Sequence, residues 1–257
     1  MADWNPNLYL KFEKERTQPA KDLISRIEKD GPVRIIDIGC GPGNSTRELK
    51  KKWPKAEIIG IDNSPNMIKM AKENLPELEW IVADAGANLS HLGKFDIVFS
   101  NAAIQWIPNH EKLIPNLFYM LNENGILAMQ IPNVTDMSIN KAVNTARKDN
   151  KWDIYLNSVT DKMFYDSPQG YYDILCRLSS EIYLWETHYY HVMEGHQSII
   201  DWYRSTGMKP YRDKLPNEEL RHEFENDVLR IVEKEYNFQK NGTVLFPFRR
   251  MFFVAYN

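Results

Sequence analysis

The sequence has 257 residues, of which 43% are hydrophobic and 26% charged, with a formal net charge of -3 at pH 7. This composition can fill a hydrophobic core, and the balance of charge excludes the broad positive field of a nucleic-acid-binding protein. No apolar stretch approaches the roughly 20 residues of a membrane span, no secretory pattern opens the chain, and Cys40 and Cys176 are too few for a disulfide framework, so we expect a soluble cytoplasmic protein.

The first elements in chain order are helical. Apolar residues between Leu8 and Ile27 recur partly at helical spacing, and Pro19 predicts a break between two helical pieces. Asp30-Gly31-Pro32 then marks a turn. The β-branched run 33–38 that follows ends in glycines and is typical of a buried parallel strand.

Strand-like and helix-like segments alternate over the next hundred residues. The helix-like segments open at Asn44, Ser64 and Asn109. This βαβ pattern predicts a parallel sheet. Its further strands are expected at 57–61, 78–82, 95–100 and 125–131.

The second half of the chain departs from this alternation. We expect one domain with a Rossmann-like, doubly wound α/β fold, in which a mostly parallel seven-stranded sheet carries helical cap insertions. The core should comprise about 30–132, 181–193 and 249–257, with its last strand over 251–256, and the cap insertions about 133–180 and 196–242.

A glycine-rich turn after the first strand is the strongest motif. It reads Asp37-Ile38-Gly39-Cys40-Gly41-Pro42-Gly43-Asn44, with glycines at alternate positions and an acid two residues before the first. Glycines let the backbone approach a ligand closely. A carboxylate at Asp37 disfavours a pyrophosphate but suits the ammonium group of an amino-acid tail, directly or through water. S-adenosylmethionine has such a tail, and we predict that it is the cofactor bound by this turn, with contacts from Asp37, Gly39, Cys40, Gly41, Gly43 and Asn44.

Polar residues follow the next strands as well. Asp62, with Asn63 beside it, can accept both ribose hydroxyls, and Asp84 can accept the adenine amino group. Asn101 and Ala102 follow the fourth strand. Each acid alone could simply cap a helix, but their shared position at strand ends predicts one crevice.

Beyond these motifs, the chain resembles the trans-aconitate 2-methyltransferase family over nearly its whole length. The resemblance implies a methyltransferase that uses S-adenosylmethionine to form a methyl ester on a carboxylate of a small polyacid such as trans-aconitate. It also implies that Arg16, Met67 and Ala85 belong to the cofactor site. His188 stands where the family carries threonine, and 85–88 lack an expected tryptophan. The matching segments include Asp3-Trp4-Asn5-Pro6, Tyr9, Gly39 to Ser45, Gly60 to Ser64, Gln105-Trp106, Gln130-Ile131-Pro132, Tyr171 to Leu175, Tyr189-Tyr190-His191, Asp201-Trp202 and Arg250.

The implied chemistry needs an anchor for a polyanion and no general base. A carboxylate is already ionised at pH 7, so positioning should dominate catalysis. We expect Arg250 to grip a carboxylate that does not react, since arginine can bind one bidentately. Tyr172, Tyr190 and His191 are candidate hydrogen-bond donors and Trp106 a candidate pocket wall, although packing could explain each aromatic residue.

Other functions remain open at this point. His188 and His191 should point to opposite faces of a strand, so with His196 they are not expected to bind a metal. Lys50-Lys51-Lys52 suits a solvated helix end rather than a nucleic-acid site. The alternatives are a methyltransferase for another small acceptor, a non-catalytic cofactor-binding regulator, and a nicotinamide-dependent oxidoreductase. No protein partner is predicted.

Overall fold

The computed structural model of the chain describes residues 12–160 and 163–257. The family-like opening around Asp3-Trp4-Asn5-Pro6 and Tyr9 lies outside the described residues. Over the described part, the chain divides into two compact units. The sheet unit comprises 12–132, Phe164–Thr187 and Arg250–Asn257, and the helical unit comprises Asn133–Met163, apart from 161 and 162, and His188–Arg249. Residues 164–180 therefore group with the sheet rather than with the inserted helices.

A seven-stranded sheet, in the order β3-β2-β1-β4-β5-β7-β6, confirms the predicted fold class. β1 pairs in parallel with both β2 and β4, and the first five strands are parallel throughout. Short runs rich in β-branched residues build the central strands of this sheet, where both faces are buried. The strands are β1 Arg34–Ile38, β2 Glu57–Asp62, β3 Glu79–Val82, β4 Phe95–Asn101, β5 Leu121–Asn133, β6 Glu181–Met193 and β7 Val244–Tyr256.

β6 has the predicted bounds 181–193, whereas β5 and β7 are longer than predicted. Asn257 N–H donates to the carbonyl of Gly125 at 2.9 Å, whereas Arg250 contacts Gln130, so β7 runs antiparallel to β5. The rings of Trp185 and Phe252 stack with centroids 5.0 Å apart where β6 lies beside β7. An antiparallel edge on a parallel sheet is a common arrangement.

The predicted beginnings of β5 and β7 were wrong. Asn124 adopts a left-handed φ of 57°, and a β-bulge lets Phe95 pair with Leu121 while Ile97 pairs with Ile126. β5 therefore starts at Leu121, four residues before Gly125, where the sequence predicted its first residue. β7 starts at Val244, seven residues before Met251, so Arg250 lies inside the strand and not at its start.

The first described helix continues through its proline. α1 spans Glu13–Ser25 with Pro19 inside it, so the predicted break is wrong. Arg16, Ala20, Leu23 and Ile24 are buried on one face, and this packing outweighs the single backbone hydrogen bond that proline removes.

The remaining helices fall into both units. In the sheet unit α2 is Asn44–Lys52, α3 Pro65–Asn74, α4 His110–Phe118 and α7 Pro168–Leu175. In the helical unit α5 is Ser138–Ala146, α6 Asn150–Leu156, α8 His196–Arg204, α9 Lys209–Arg212 and α10 Glu218–Glu235. None of these described helices is both long and apolar enough to cross a bilayer.

Candidate active site

The glycine turn joins the end of β1 to α2 and tolerates no side chain at its start. Gly39, Gly41 and Gly43 have φ values of 70°, 55° and 95°. A Cβ on Gly39 would lie 2.1 Å from Cβ of Ala103, which follows β4. A Cβ on Gly41 would meet nothing within 4 Å. The turn is therefore closely packed at Gly39 and open at Gly41.

The backbone N–H groups of this turn are already engaged within the protein. Those of Gly39 and Cys40 donate to the carbonyl of Ile61, and that of Gly43 donates to the carbonyl of Cys40. Gly41 N–H donates to Oδ2 of Asp62 at 3.0 Å, and Pro42 has no N–H. Phosphate-binding turns present such groups to the ligand, so residues 39–43 are not arranged to bind a pyrophosphate.

Asp37 is a fully buried carboxylate at the end of β1. Its Oδ2 accepts hydrogen bonds from the hydroxyls of Ser45 at 2.7 Å and Thr46 at 2.6 Å. Its Oδ1 has no hydrogen-bond partner among residues 12–160 and 163–257. Burial raises the pKa of Asp37 to about 6, although both hydroxyls oppose this shift. The unmatched oxygen is a ready acceptor for a cationic N–H donor.

Asp62 ties the glycine turn to the helix after β2. Besides its bond to Gly41, its Oδ1 accepts from the N–H of Ser64 at 2.9 Å. Ser64 in turn caps α3 through a bond from Met67 N–H. Met67 is buried, whereas Asn63 is exposed. Each carboxylate oxygen has a second lone pair, so these structural bonds are compatible with the predicted contact to a diol.

The adenine-side candidates lie at the end of β3. Asp84 is exposed, and its Oδ1 accepts a hydrogen bond from Gly86 N–H at 2.8 Å. Ala85 between them is partly buried. These residues close a tight loop with one carboxylate oxygen directed to solvent or to a ligand.

The end of β4 contains a strained backbone position. Ala102 has a φ of 54°, which is uncommon for a residue with a side chain and is found most often at functional sites. Its N–H donates to the carbonyl of Gln130, and its carbonyl accepts from Nε2 of Gln105 at 2.8 Å. Trp106 lies in the 3₁₀ turn Ile104–Trp106 and is partly buried. Hydrogen bonds on both sides thus hold the turn that carries Trp106.

A buried histidine and tyrosine support the same turn. His110 Nε2 lies 2.9 Å from the carbonyl of Ile104, and its Nδ1 lies 2.9 Å from the hydroxyl of Tyr171. Since a carbonyl only accepts, Nε2 carries the proton and the tyrosine donates to Nδ1. The resemblance included Tyr171, but sequence reasoning assigned no role to His110.

The predicted substrate residues are divided between the units. In the sheet unit, Arg250 is 3% exposed and its Nη1 donates to Oε1 of Gln130 at 3.1 Å, whereas Tyr172 is 52% exposed on α7. In the helical unit, Tyr190 is exposed and His191 is buried against Trp202, with ring centroids 4.9 Å apart.

Arg16 and Cys40, both predicted to belong to the cofactor site, are buried. Arg16 is buried on α1 with its guanidinium 5.9 Å from the Phe12 ring centroid. Cys40 is buried, and burial raises the pKa of its thiol, so it packs as a small neutral group. Among the described residues, no three His, Cys, Asp or Glu side chains form a group that could hold a metal ion.

Several residues of this site were missed by sequence reasoning. Ser45 and Thr46 bind Asp37 across the turn, and a hydroxyl pair eight and nine residues after a buried acid was an available signal. Gln105 and Gln130 belong to the matching segments but received no role. Gln105 bonds to Ala102 three residues before it, whereas only tertiary structure brings Gln130 to Arg250.

The family model that matches this chain and two of its curated relatives are methyltransferases. A family model described as a methyltransferase domain matches residues 29–197. The chain is 39% identical to the trans-aconitate 2-methyltransferase of Enterobacter sp. (strain 638), over 99% of this chain and 98% of that protein. It is 41% identical to the enzyme of the same name from Klebsiella pneumoniae (strain 342), with the same coverage of both.

Solved structures support the fold. The YcgJ protein of Bacillus subtilis has a TM-score of 0.60 at 13% identity, covering 93% of this chain and 98% of that one. Phosphoethanolamine N-methyltransferase 2 of Haemonchus contortus, solved with phosphomonomethylethanolamine and S-adenosylhomocysteine, has a TM-score of 0.56 at 16% identity, covering 93% of this chain and 52% of that one.

The raised pKa of Asp37 predicts that the ligand-free protein becomes less stable as pH rises. Because its folded pKa of about 6 exceeds the ordinary 3.8, the native state holds this proton more tightly than the unfolded state does. The free energy of unfolding of the wild type therefore decreases as pH rises from about 4 to about 7, because Asp37 then has to ionise in its buried position. We expect Asp37→Asn, which cannot ionise, to gain about 2 kcal/mol of stability relative to wild type over this range.

Urea denaturation of both proteins at a series of pH values measures the difference. All other titrating groups are shared, so they cancel in the comparison. A wild-type-minus-variant difference that stays constant with pH would show that Asp37 titrates normally.

Proposed function

This chain belongs to the trans-aconitate 2-methyltransferase family of S-adenosylmethionine-dependent methyltransferases, and we propose that it methylates a carboxylate of trans-aconitate or a closely similar small polyacid. The observation that carries the proposal is the 38–41% identity to enzymes of that name over 98% of their length. Relatives of other specificity that share only the cofactor half of the fold would not be expected to match the second half so fully.

The residues of the sheet unit fit the methyl donor. Oδ1 of Asp37 is buried without a partner among the described residues, which suits an ammonium group, and the open position at Gly41 admits a ligand close to the backbone. We propose that Asp37 and the 39–44 turn hold the amino-acid tail, that Asp62 and Asn63 hold the ribose, and that Asp84 and Ala85 hold the adenine. Arg16, Met67, Asn101 and Ala102 complete this proposed site. When bound, S-adenosylmethionine supplies a sulfonium-activated methyl group.

The chain's own residues then have to orient an anion, with no proton to remove. A carboxylate acceptor is ionised at neutral pH, so no side chain need act as a general base. Trp106 and the turn held by Gln105 and His110 would form a rigid wall near the methyl group, because their hydrogen bonds fix the backbone. In the sheet unit we propose Arg250 as the cationic anchor, with Tyr172 as a further contact. In the helical unit, Tyr190 and His191 stay predictions from the resemblance.

A nicotinamide-dependent reaction is disfavoured by the glycine turn. Its N–H groups bond within the protein, Asp37 precedes it, and Asp62 accepts a hydrogen bond from Gly41 in its middle. Two carboxylates and no available N–H donor in 39–43 oppose a pyrophosphate.

We also infer a cytoplasmic location. Both cysteines of the chain, Cys40 and Cys176, are free thiols, which fits a reducing compartment. Fractionation of the native host should recover the protein with cytoplasmic markers.

The direct test of function is methyl transfer from labelled cofactor to a panel of acids. We expect methyl-ester formation with trans-aconitate and weaker or no transfer to cis-aconitate, isocitrate and citrate, because a site that fixes several carboxylates rejects those placed differently. Reverse-phase separation of the labelled ester measures the product. Efficient transfer to a phenol or an amine, with none to any polyacid, would replace the proposed substrate class.

Cofactor affinity should depend on the ionisation of Asp37. Below its pKa of about 6 the carboxyl must lose a proton before it can pair with an ammonium group, so the dissociation constant of S-adenosylmethionine should rise about 10-fold from pH 7 to pH 5. Asp37→Asn should bind about 10- to 100-fold more weakly at pH 7 and lose this pH dependence.

Titration calorimetry in buffers of different ionisation enthalpy also counts the proton released on binding. Wild type should release close to one proton per cofactor at pH 5, and the variant none from this position. Equal proton release by both proteins would remove Asp37 from the ammonium site.

The anchor role of Arg250 predicts a selective loss of substrate binding. We expect Arg250→Ala to raise the apparent KM for trans-aconitate by about 10- to 100-fold while cofactor affinity stays nearly constant. Arg250→Lys should recover only part of the loss, because it keeps the charge but not the bidentate fork.

Arg250 is buried, so its replacement needs a folding control. Circular dichroism and the melting temperature of each variant should be compared with wild type before kinetics are interpreted. A folded Arg250→Ala protein with a wild-type KM would place the anchor elsewhere. Arg249, Arg204 or Arg16 is then the next candidate to test.

A further inference from the structure

Three amide side chains near the carboxyl ends of β4 and β5 each have a buried atom without a hydrogen bond. Asn101 and Gln130 are paired across the two strands, and Gln105 lies in the turn just after β4. Oδ1 of Asn101, Oε1 of Gln105 and Nε2 of Gln130 have no partner within residues 12–160 and 163–257. Most buried polar atoms in proteins are satisfied. Nε2 of Gln130 is the one donor among these three atoms, so it is the one that can bind an anionic ligand.

The orientation of the Gln130 amide follows from its neighbour. Arg250 has only donors, and its Nη1 lies 3.1 Å from Oε1 of Gln130, so the oxygen must face the guanidinium. The nitrogen, with two N–H donors, is therefore the end of the amide that is not bonded to Arg250 Nη1. The reverse assignment would place donor against donor.

The neutral Gln130 adds no negative charge next to Arg250. A glutamate of the same shape would form a salt bridge and cancel the charge that attracts an anion. The neutral amide instead holds the guanidinium in place through one hydrogen bond. Gln130 is 0% exposed and Arg250 3% exposed, so an anion bound beside them would interact with little screening by water.

We propose that Gln130 is a substrate-anchoring residue: its oxygen orients Arg250 while its nitrogen donates to the carboxylate of the polyacid that Arg250 binds. This inference rests on the proposed function and adds a specificity-determining residue to it. The Arg250 and Gln130 side chains then form one receptor for a single carboxylate that is not methylated. Acids without a carboxylate at that position leave the buried N–H groups unmatched and should be discriminated against.

Two variants of similar size separate this role from simple packing. Gln130→Leu removes both hydrogen bonds, and we expect it to raise the KM for trans-aconitate by about 10-fold or more, the scale of losing a hydrogen bond to a charged group. Gln130→Glu places a carboxylate beside Arg250 and should raise KM further, by about 100-fold.

Binding should be measured apart from turnover. Calorimetric titration of trans-aconitate into protein saturated with S-adenosylhomocysteine gives the affinity for the acid, and titration of S-adenosylhomocysteine alone gives the control. We expect the acid affinity to fall in both variants while the control affinity stays within about twofold, since no cofactor contact is assigned to Gln130. Circular dichroism should match wild type for at least one of the two variants.

The substrate offers a second, independent comparison. Dicarboxylates that each lack one carboxylate of trans-aconitate should include one for which wild type and Gln130→Leu have the same affinity, because the interaction is already missing. Equal losses for every acid, or an unchanged acid affinity in the folded variants, would overturn the assignment and leave the proposed function standing. A wild-type protein that binds no polyacid would overturn both.

Discussion

A carboxylate removed from water at the end of β1 constrains the cofactor half of this protein. Asp37 is buried completely, and a buried charge or polar group is costly without hydrogen bonds. Ser45 and Thr46, in the first turn of α2, supply them. The helix must therefore begin within reach of the strand end, and 39–43 have to reverse the chain in five residues. Left-handed φ values at the three glycines of this turn follow from that short distance.

The neighbouring strand ends are packed just as closely. Gly39 leaves room for Ala103, and Gly60 leaves room for the ring of Trp80, which a Cβ at Gly60 would approach to 2.3 Å. The cofactor turn is thus held from both sides by residues that follow or lie on other strands. Ala102, in its left-handed conformation, then directs the chain into the turn that carries Gln105 and Trp106. Close packing and backbone strain thus bring Gln105 and Trp106 to the same edge of the sheet as the glycine turn.

Much of this arrangement could be predicted from the sequence, because local patterns determine it. Strands β1 to β4 are short β-branched runs bounded by turns, and Asp37 and Asp62 fall at their ends. The first residues of β5 and β7 were harder to predict. β7 contains Pro247, which usually argues against a strand, yet the flanking residues alternate between buried Phe246 and Phe248 and exposed positions. β5 contains a β-bulge around Asn124, and the turn-like residues of this bulge made the strand appear to begin after it. Gln130 and Arg250 are 120 positions apart, and no local pattern predicts such a pair.

The internal hydrogen bonds of the glycine turn have a consequence for competition inside a cell. Adenosine occurs in many abundant metabolites, most of which carry phosphates where S-adenosylmethionine carries methionine. A site that recognised only adenine and ribose would be inhibited by all of them. Here the turn offers a phosphate no N–H group from 39–43, and the carboxylates of Asp37 and Asp62 repel it. In the proposed binding mode, discrimination among adenosine compounds is made at the carboxyl end of β1, where these ligands differ, and the adenine contacts proposed at β3 need contribute little to it.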